Sequence, residues 1–192
     1  MEIFMKYDSC YAAKDFLREV REASLVLISS LSDSTLPANI LTYYCQKILP
    51  IMKACRDISA SAVRYSVYEP VLLIAKESES ACLINMTELT SSIKYCSNKL
   101  DDRSAFQLYQ SSAENICQRL CDDLEQCEIS ERLGCDYLRR MILLSEAIIR
   151  LSELVCCYDI CRSAYPIIKF FAQSSRRELI KMRRLLSLID EH

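Results

Sequence analysis

The chain has 192 residues, 51% of them hydrophobic, which is enough for a sizeable core without a metal or a disulfide. One glycine, four prolines and no tryptophan leave almost no hairpin turn chemistry, so the composition excludes β-rich architecture and reads as all-α with short connections. A formal charge of −2 gives no global drive toward nucleic acid, and no apolar run approaches the ~20 residues of a membrane span.

The opening MEIFMKYD has no basic region followed by an apolar run, so no signal peptide is expected. Ser9 can cap a first helix to about Leu31, with Ala12, Phe16, Val20, Ala23, Leu27 and Leu31 inward at spacings of three and four. Asp15, Arg18, Glu19, Arg21 and Glu22 take its other face. Ser32, Asp33, Ser34 and Thr35 break it, and Pro37 suits the first turn of a second helix running to about Tyr68, kinked at Pro50. Pro70 opens a third helix to about Leu100, with Leu73, Leu83, Met86, Leu89 and Ile93 inward. Asp101 and Asp102 mark a boundary. Three more helices follow: Ser104 to Gln126, Ser130 to Arg162, and Tyr165 to Ile189. Gly134 falls in the first turn of the fifth, where end fraying softens its cost of ~1 kcal/mol.

The second half repeats the first. At an offset of 93, Tyr44, Lys47, Ala54, Ser59 and Tyr65 fall on Tyr137, Arg140, Ala147, Ser152 and Tyr158. Phe16, Leu27 and Leu31 fall on Tyr109, Leu120 and Leu124 at the same offset. Three additional residues then raise the offset to 96, where Pro70, Leu89 and Met86 meet Pro166, Leu185 and Met182. A fixed period is the signature of a duplicated unit. Tight connections make each unit up, down and up. The expected fold is thus six long helices in two tandem antiparallel three-helix repeats, 1–101 and 102–192, packed into one body.

Twelve cysteines suggest disulfides or zinc, but there is no Cys-x-x-Cys pair and the one histidine is His192. Cys45, Cys55, Cys117, Cys121, Cys156 and Cys161 occupy apolar helical positions, as free, readily buried thiols do in a reducing cytosol. There is no glycine-rich phosphate loop, no Ser-x-x-Lys and no internal histidine to serve as base, so no enzyme is expected.

Two charged constellations remain. Glu146, Arg150 and Glu153 share a face of the fifth helix, and Lys53 and Asp57 occupy the matching face of the second with signs reversed at two positions. An ion-paired, solvated face is the plain reading. The sharper reading has the two faces meeting between the copies. Asp57, Glu146 and Glu153 are also the weak candidates for metal ligation. In the sixth helix Arg176, Arg177, Lys181, Arg183 and Arg184 form a basic run. It is either a solvated C-terminal face or a docking patch for an acidic or phosphorylated partner. The third helix carries Glu77, Glu79 and Glu88 instead.

A tandem repeat of about 95 residues, each copy an up-down-up unit with the middle helix best matched, resembles the PhoU family. The closest local likeness is Arg56-Asp57-Ile58-Ser59-Ala60-Ser61-Ala62 and Ile149-Arg150-Leu151-Ser152-Glu153-Leu154-Val155. PhoU proteins carry there a segment like Glu-Arg-Ile-Gly-Asp-His-Ala, whose two acids bind metal. Those acids become Arg56 and Ala60 in one copy and Ile149 and Glu153 in the other, so Glu153 alone survives and the metal site is degenerate. The resemblance implies a cytoplasmic, non-enzymatic regulator of phosphate uptake. Such regulators act by contact with a phosphate transporter's ATPase and a sensor histidine kinase, often as dimers. A helical adaptor unrelated to phosphate is the alternative.

Overall fold

The computed structural model describes residues 10–32, 37, 39–96 and 102–191. It folds them into α1 (Cys10–Ser32), α2 (Ile40–Arg64), α3 (Glu69–Cys96), α4 (Arg103–Gln126), α5 (Leu133–Cys156) and α6 (Tyr165–Asp190), with a 3-10 segment (Asp159–Ala164) leading into α6. No strand occurs among the described residues, and the fold is all-α. The readings that fall on Ser9, Asp33, Ser34, Thr35, Leu100, Asp101 and His192 lie outside the described residues, as do the side chains of Ile93 and Cys161.

Helix boundaries follow capping chemistry. Asn39, two residues after Pro37, caps α2, its Oδ1 accepting from the amides of Leu41 at 2.9 Å and Thr42 at 3.1 Å. Asp102 caps α4 through the Ser104 amide at 2.8 Å. The second helix was expected to reach Tyr68, yet α2 stops at Arg64. The amides of Ser66 and Val67 turn back to the carbonyls of Val63 and Ala62, at 3.2 and 3.3 Å, with Ser66 at φ 48°. Ser66→Gly removes the Cβ from that left-handed position and is expected to stabilise the fold by about 0.5–1 kcal/mol in urea unfolding. The fifth helix likewise ends at Cys156 rather than Arg162. The residues that raise the offset from 93 to 96 fall where the 3-10 segment forms. α2 runs through Pro50 as one helix.

α2 and α5 form the centre of the molecule. Ile40, Tyr44, Ile48, Ile51, Ile58 and Ala62 of α2 are buried, as are Leu133, Tyr137, Leu144, Leu151 and Val155 of α5. Each large apolar side chain so buried contributes roughly 1.5–3 kcal/mol. Tyr44 and Ser152 share a buried hydrogen bond of 2.8 Å, and Ser59 and Tyr137 another of 3.0 Å. As α2 ascends from 44 to 59, α5 descends from 152 to 137, so the two helices are antiparallel. Other contacts also recur at the 93-residue offset. Lys47 Nζ donates to the Leu31 carbonyl at 2.7 Å, and Arg140 Nη1 to the Leu124 carbonyl at 3.4 Å. The rings of Phe16 and Tyr65 meet edge to face at 6.2 Å, and those of Tyr109 and Tyr158 do the same at 6.2 Å.

The outer helices use their faces differently from the expectation. On α3 the inward residues are Val71, Ile74, Ala75 and Leu89, with Met86 packed against them, whereas Leu73 and Leu83 point to solvent. The stripe is set by where α2 lies, and Leu73 is off it by more than a quarter turn. Gly134 is not a frayed end. A Cβ there would stand 3.1 Å from Val71 Cγ2 and 3.7 Å from Tyr68 Cβ, so the glycine lets the start of α3 approach α5 closely.

Candidate functional site

Each carboxylate singled out as a weak metal ligand is held by cations. Asp57 pairs with Lys53 at 3.3 Å along α2 and with Arg56, whose Nη2 and Nε reach its Oδ1 at 2.7 and 3.0 Å. Glu146 pairs with Arg150 at 3.8 Å along α5 and with Arg183 of α6. Glu153 pairs with Arg176 of α6. Among the described residues no group of three or more His, Cys, Asp or Glu side chains could hold a metal ion.

These pairs also correct the sharper reading of the reversed charges. The Lys53–Asp57 face does not meet the Glu146–Arg150 face. The seam between α2 and α5 is occupied by Tyr44, Ser59, Tyr137 and Ser152, and the charges lie on the far side of each helix. Lys53 and Asp57 instead flank a groove of about 370 Å³ between α1, α2 and α3, floored by Leu27, Leu49, Pro50 and Met86. Asp57→Lys is therefore expected to change stability by less than about 1 kcal/mol, as for a partly exposed pair. A larger loss in a denaturant titration would show that Asp57 stabilises the fold through its pairs with Lys53 and Arg56.

The basic run of α6 divides by helix face. Arg176 and Arg183 turn toward α5 and are paired with its glutamates. Lys181 bridges to α3 through Glu77 at 3.3 Å and to Glu178 at 3.1 Å. Arg177 and Arg184 are exposed and make no ion pair among the described residues. Phe170, Ile180 and Leu188 stand on the same outward face, each more than half exposed. The spacing 170, 177, 181, 184, 188 is a helical stripe that could have been read from the sequence. Its apolar members, Phe170 and Leu188, follow the same spacing as its basic ones.

Asp136 and Arg140, four apart on α5, form a buried pair. Both residues are almost fully buried, with Asp136 Oδ2 3.6 Å from Arg140 Nε. Arg140 also donates to Ser24 Oγ at 2.8 Å, and Ser24 in turn to the Val20 carbonyl at 2.8 Å, tying α5 to α1. Neither Asp136 oxygen has a hydrogen-bond partner among the described residues. Burial pushes the Asp136 carboxyl above its ordinary range, and the Arg140 guanidinium only partly offsets this. The residue 93 positions earlier is Tyr43, so the offset gives no hint of the acid.

The ten described cysteines are free, and Cys45, Cys55, Cys117, Cys121 and Cys135 are buried. Burial pushes the Cys117 thiol up to about 11, which suits packing rather than nucleophilic chemistry. No helix among the described residues is long and apolar enough to cross a membrane. No protein-family model matches the chain, and neither a curated protein nor a solved structure is found to match it.

Proposed function

We propose that this chain is a duplicated three-helix protein that works by protein contact rather than catalysis, as a PhoU-like regulator of phosphate transport with a degenerate metal site. The observation that carries the reading is the recurrence of contacts at one offset. The Tyr–Ser bonds across α2 and α5, the cations on the Leu31 and Leu124 carbonyls, and the ring pairs on Tyr65 and Tyr158 all recur 93 residues apart. Two such units are the architecture the resemblance implies. Where that family places its ligating acids, this chain has Arg56, hydrogen-bonded to Asp57, and Glu153, paired with Arg176. Both supply their own cations, which supports contact without metal.

In this reading Arg177 and Arg184 are free to engage an acidic surface, such as one on a transporter ATPase or a sensor kinase, in the cytoplasm. Deleting the gene in its native organism tests it. Loss of phosphate control, read as raised cellular phosphate in phosphate-replete medium, is expected. Unchanged phosphate control would overturn the phosphate role and leave a helical adaptor.

A further inference from the structure

Four residues, 65–68, join α2 to α3, so the two helices pack antiparallel. Their register is set at two levels. Ser59 of α2 and Ser78 of α3 both reach the Tyr137 hydroxyl, Ser59 at 3.0 Å. Farther from the connection, Ala54 of α2 and Met86 of α3 line one groove. Between these levels, one turn from each serine, stand Cys55 and Cys82. Their thiols meet there and share a hydrogen bond. The pair is asymmetric. Cys55 is 2% exposed, whereas Cys82 is partly exposed at the edge of the core. The hydrogen bond with Cys82 and burial both push the Cys55 thiol well above its ordinary range, so it stays protonated and reacts slowly by itself. A thiol open to solvent with a sheltered second thiol in contact is the arrangement in which an oxidised cysteine is captured by its neighbour.

We propose that Cys55 and Cys82 are a peroxide-sensitive thiol pair that closes to a disulfide between α2 and α3, Cys82 meeting the oxidant and Cys55 resolving it. The Cys82 thiolate attacks one oxygen of hydrogen peroxide. The O–O bond breaks, Cys82 becomes a sulfenic acid, and the departing hydroxide takes up the proton that the thiol had released. The Cys55 sulfur then attacks the Cys82 sulfur. The S–S bond forms as the S–O bond breaks, and the second hydroxide leaves with the Cys55 proton as water. Two thiols are oxidised, one peroxide is reduced, and two waters form. A small dithiol reverses the bond by exchange. The disulfide closes a loop of about 26 residues, 56–81, and fixes α2 against α3 beside the groove lined by Ala54 and Met86. It restricts the unfolded chain and is expected to raise the thermal midpoint by roughly 5–10 °C. This inference does not depend on a role in phosphate transport.

Treating the folded full chain with equimolar hydrogen peroxide, blocking the remaining thiols and digesting without reductant tests the proposal by mass spectrometry. Trypsin releases Cys55 within Ala54–Arg56 and Cys82 within Glu77–Lys94, and neither peptide holds another cysteine. The two peptides are expected linked and lighter by two hydrogens than their sum. The link is expected to be absent before peroxide and after dithiothreitol, and the thermal midpoint to rise and fall with it. In Cys55→Ala, Cys82 is expected to persist as a sulfenic acid that dimedone traps. In Cys82→Ala, Cys55 is expected to remain a thiol. The linked peptide is read on the unaltered chain, so the result stands even where a variant fails to fold. An unoxidised Cys82, a Cys82 trapped by dimedone in the unaltered chain without a link to Cys55, or a link from Cys82 to another cysteine would each overturn the pairing. So would a link that forms only after the helical circular dichroism is lost.

Discussion

Arg140→Met is expected to destabilise the fold by about 3–5 kcal/mol at pH 8, the range for removing one partner of a buried ion pair. The guanidinium is almost fully buried, lies 3.6 Å from Asp136 and donates to Ser24 and to the Leu124 carbonyl. Methionine fills most of its volume but leaves Asp136 as an uncompensated buried charge. The pH dependence distinguishes this cause from lost packing. The Asp136 carboxyl ordinarily titrates near 3.8 and is raised in the folded state, so the folded chain holds its proton more tightly than the unfolded one. The stability this contributes is complete below about 3.8 and is lost as the pH rises through the raised folded-state value. Without Arg140 that value rises further. The cost of Arg140→Met is therefore smaller at pH 5 than at pH 8, and the double variant Asp136→Leu/Arg140→Met recovers much of the loss at pH 8. Urea titrations at both pH values decide it. Equal costs at the two pH values would mean that Arg140 acts through its contacts with Ser24 and Leu124 and not through Asp136.

Tyr44→Ala and Tyr137→Ala are each expected to destabilise by about 3–5 kcal/mol, because both rings are fully buried in the α2–α5 seam. The phenylalanine variants isolate the hydroxyls. Tyr44→Phe strands the buried Ser152 hydroxyl, and Tyr137→Phe leaves Ser59 with only the Met141 sulfur at 3.9 Å, each at about 1–3 kcal/mol. The two sites are 15 residues apart along each helix, about 22 Å. The double phenylalanine variant should therefore show the sum of the single effects to within about 0.5 kcal/mol. Near-equal costs at the two tyrosines are what a duplicated seam requires. A cost at one tyrosine several times that at the other would show that the 93-residue correspondence does not extend to how the two halves bear load.

The helices were legible because their apolar residues recur at spacings of three and four over long stretches almost free of glycine. The composition alone dictated an all-α chain. Their ends were less legible. Asn39 caps α2 where Pro37 was expected to open it, and the turn at Ser66 stops it short of Tyr68, because these outcomes depend on backbone bonds that no periodicity encodes. The matched tyrosines and serines were visible as a pattern, but not that each tyrosine would reach the serine of the other half.

The charged candidates show the same division. Sequence alone determined which residues carry charge and that Lys53–Asp57 and Glu146–Arg150 sit four apart on their helices. Only the tertiary structure decided which of them meet. α6 lies against α5 so that Arg176 and Arg183 neutralise Glu153 and Glu146, while Arg177 and Arg184, one position further round the same helix, are left to solvent. It also decided that Asp136, an acid in the first turn of α5, is buried. Local pattern fixes a side chain's direction around its own helix axis. Its burial and its partner are set by where the neighbouring helices lie, which is a property of the whole packed chain.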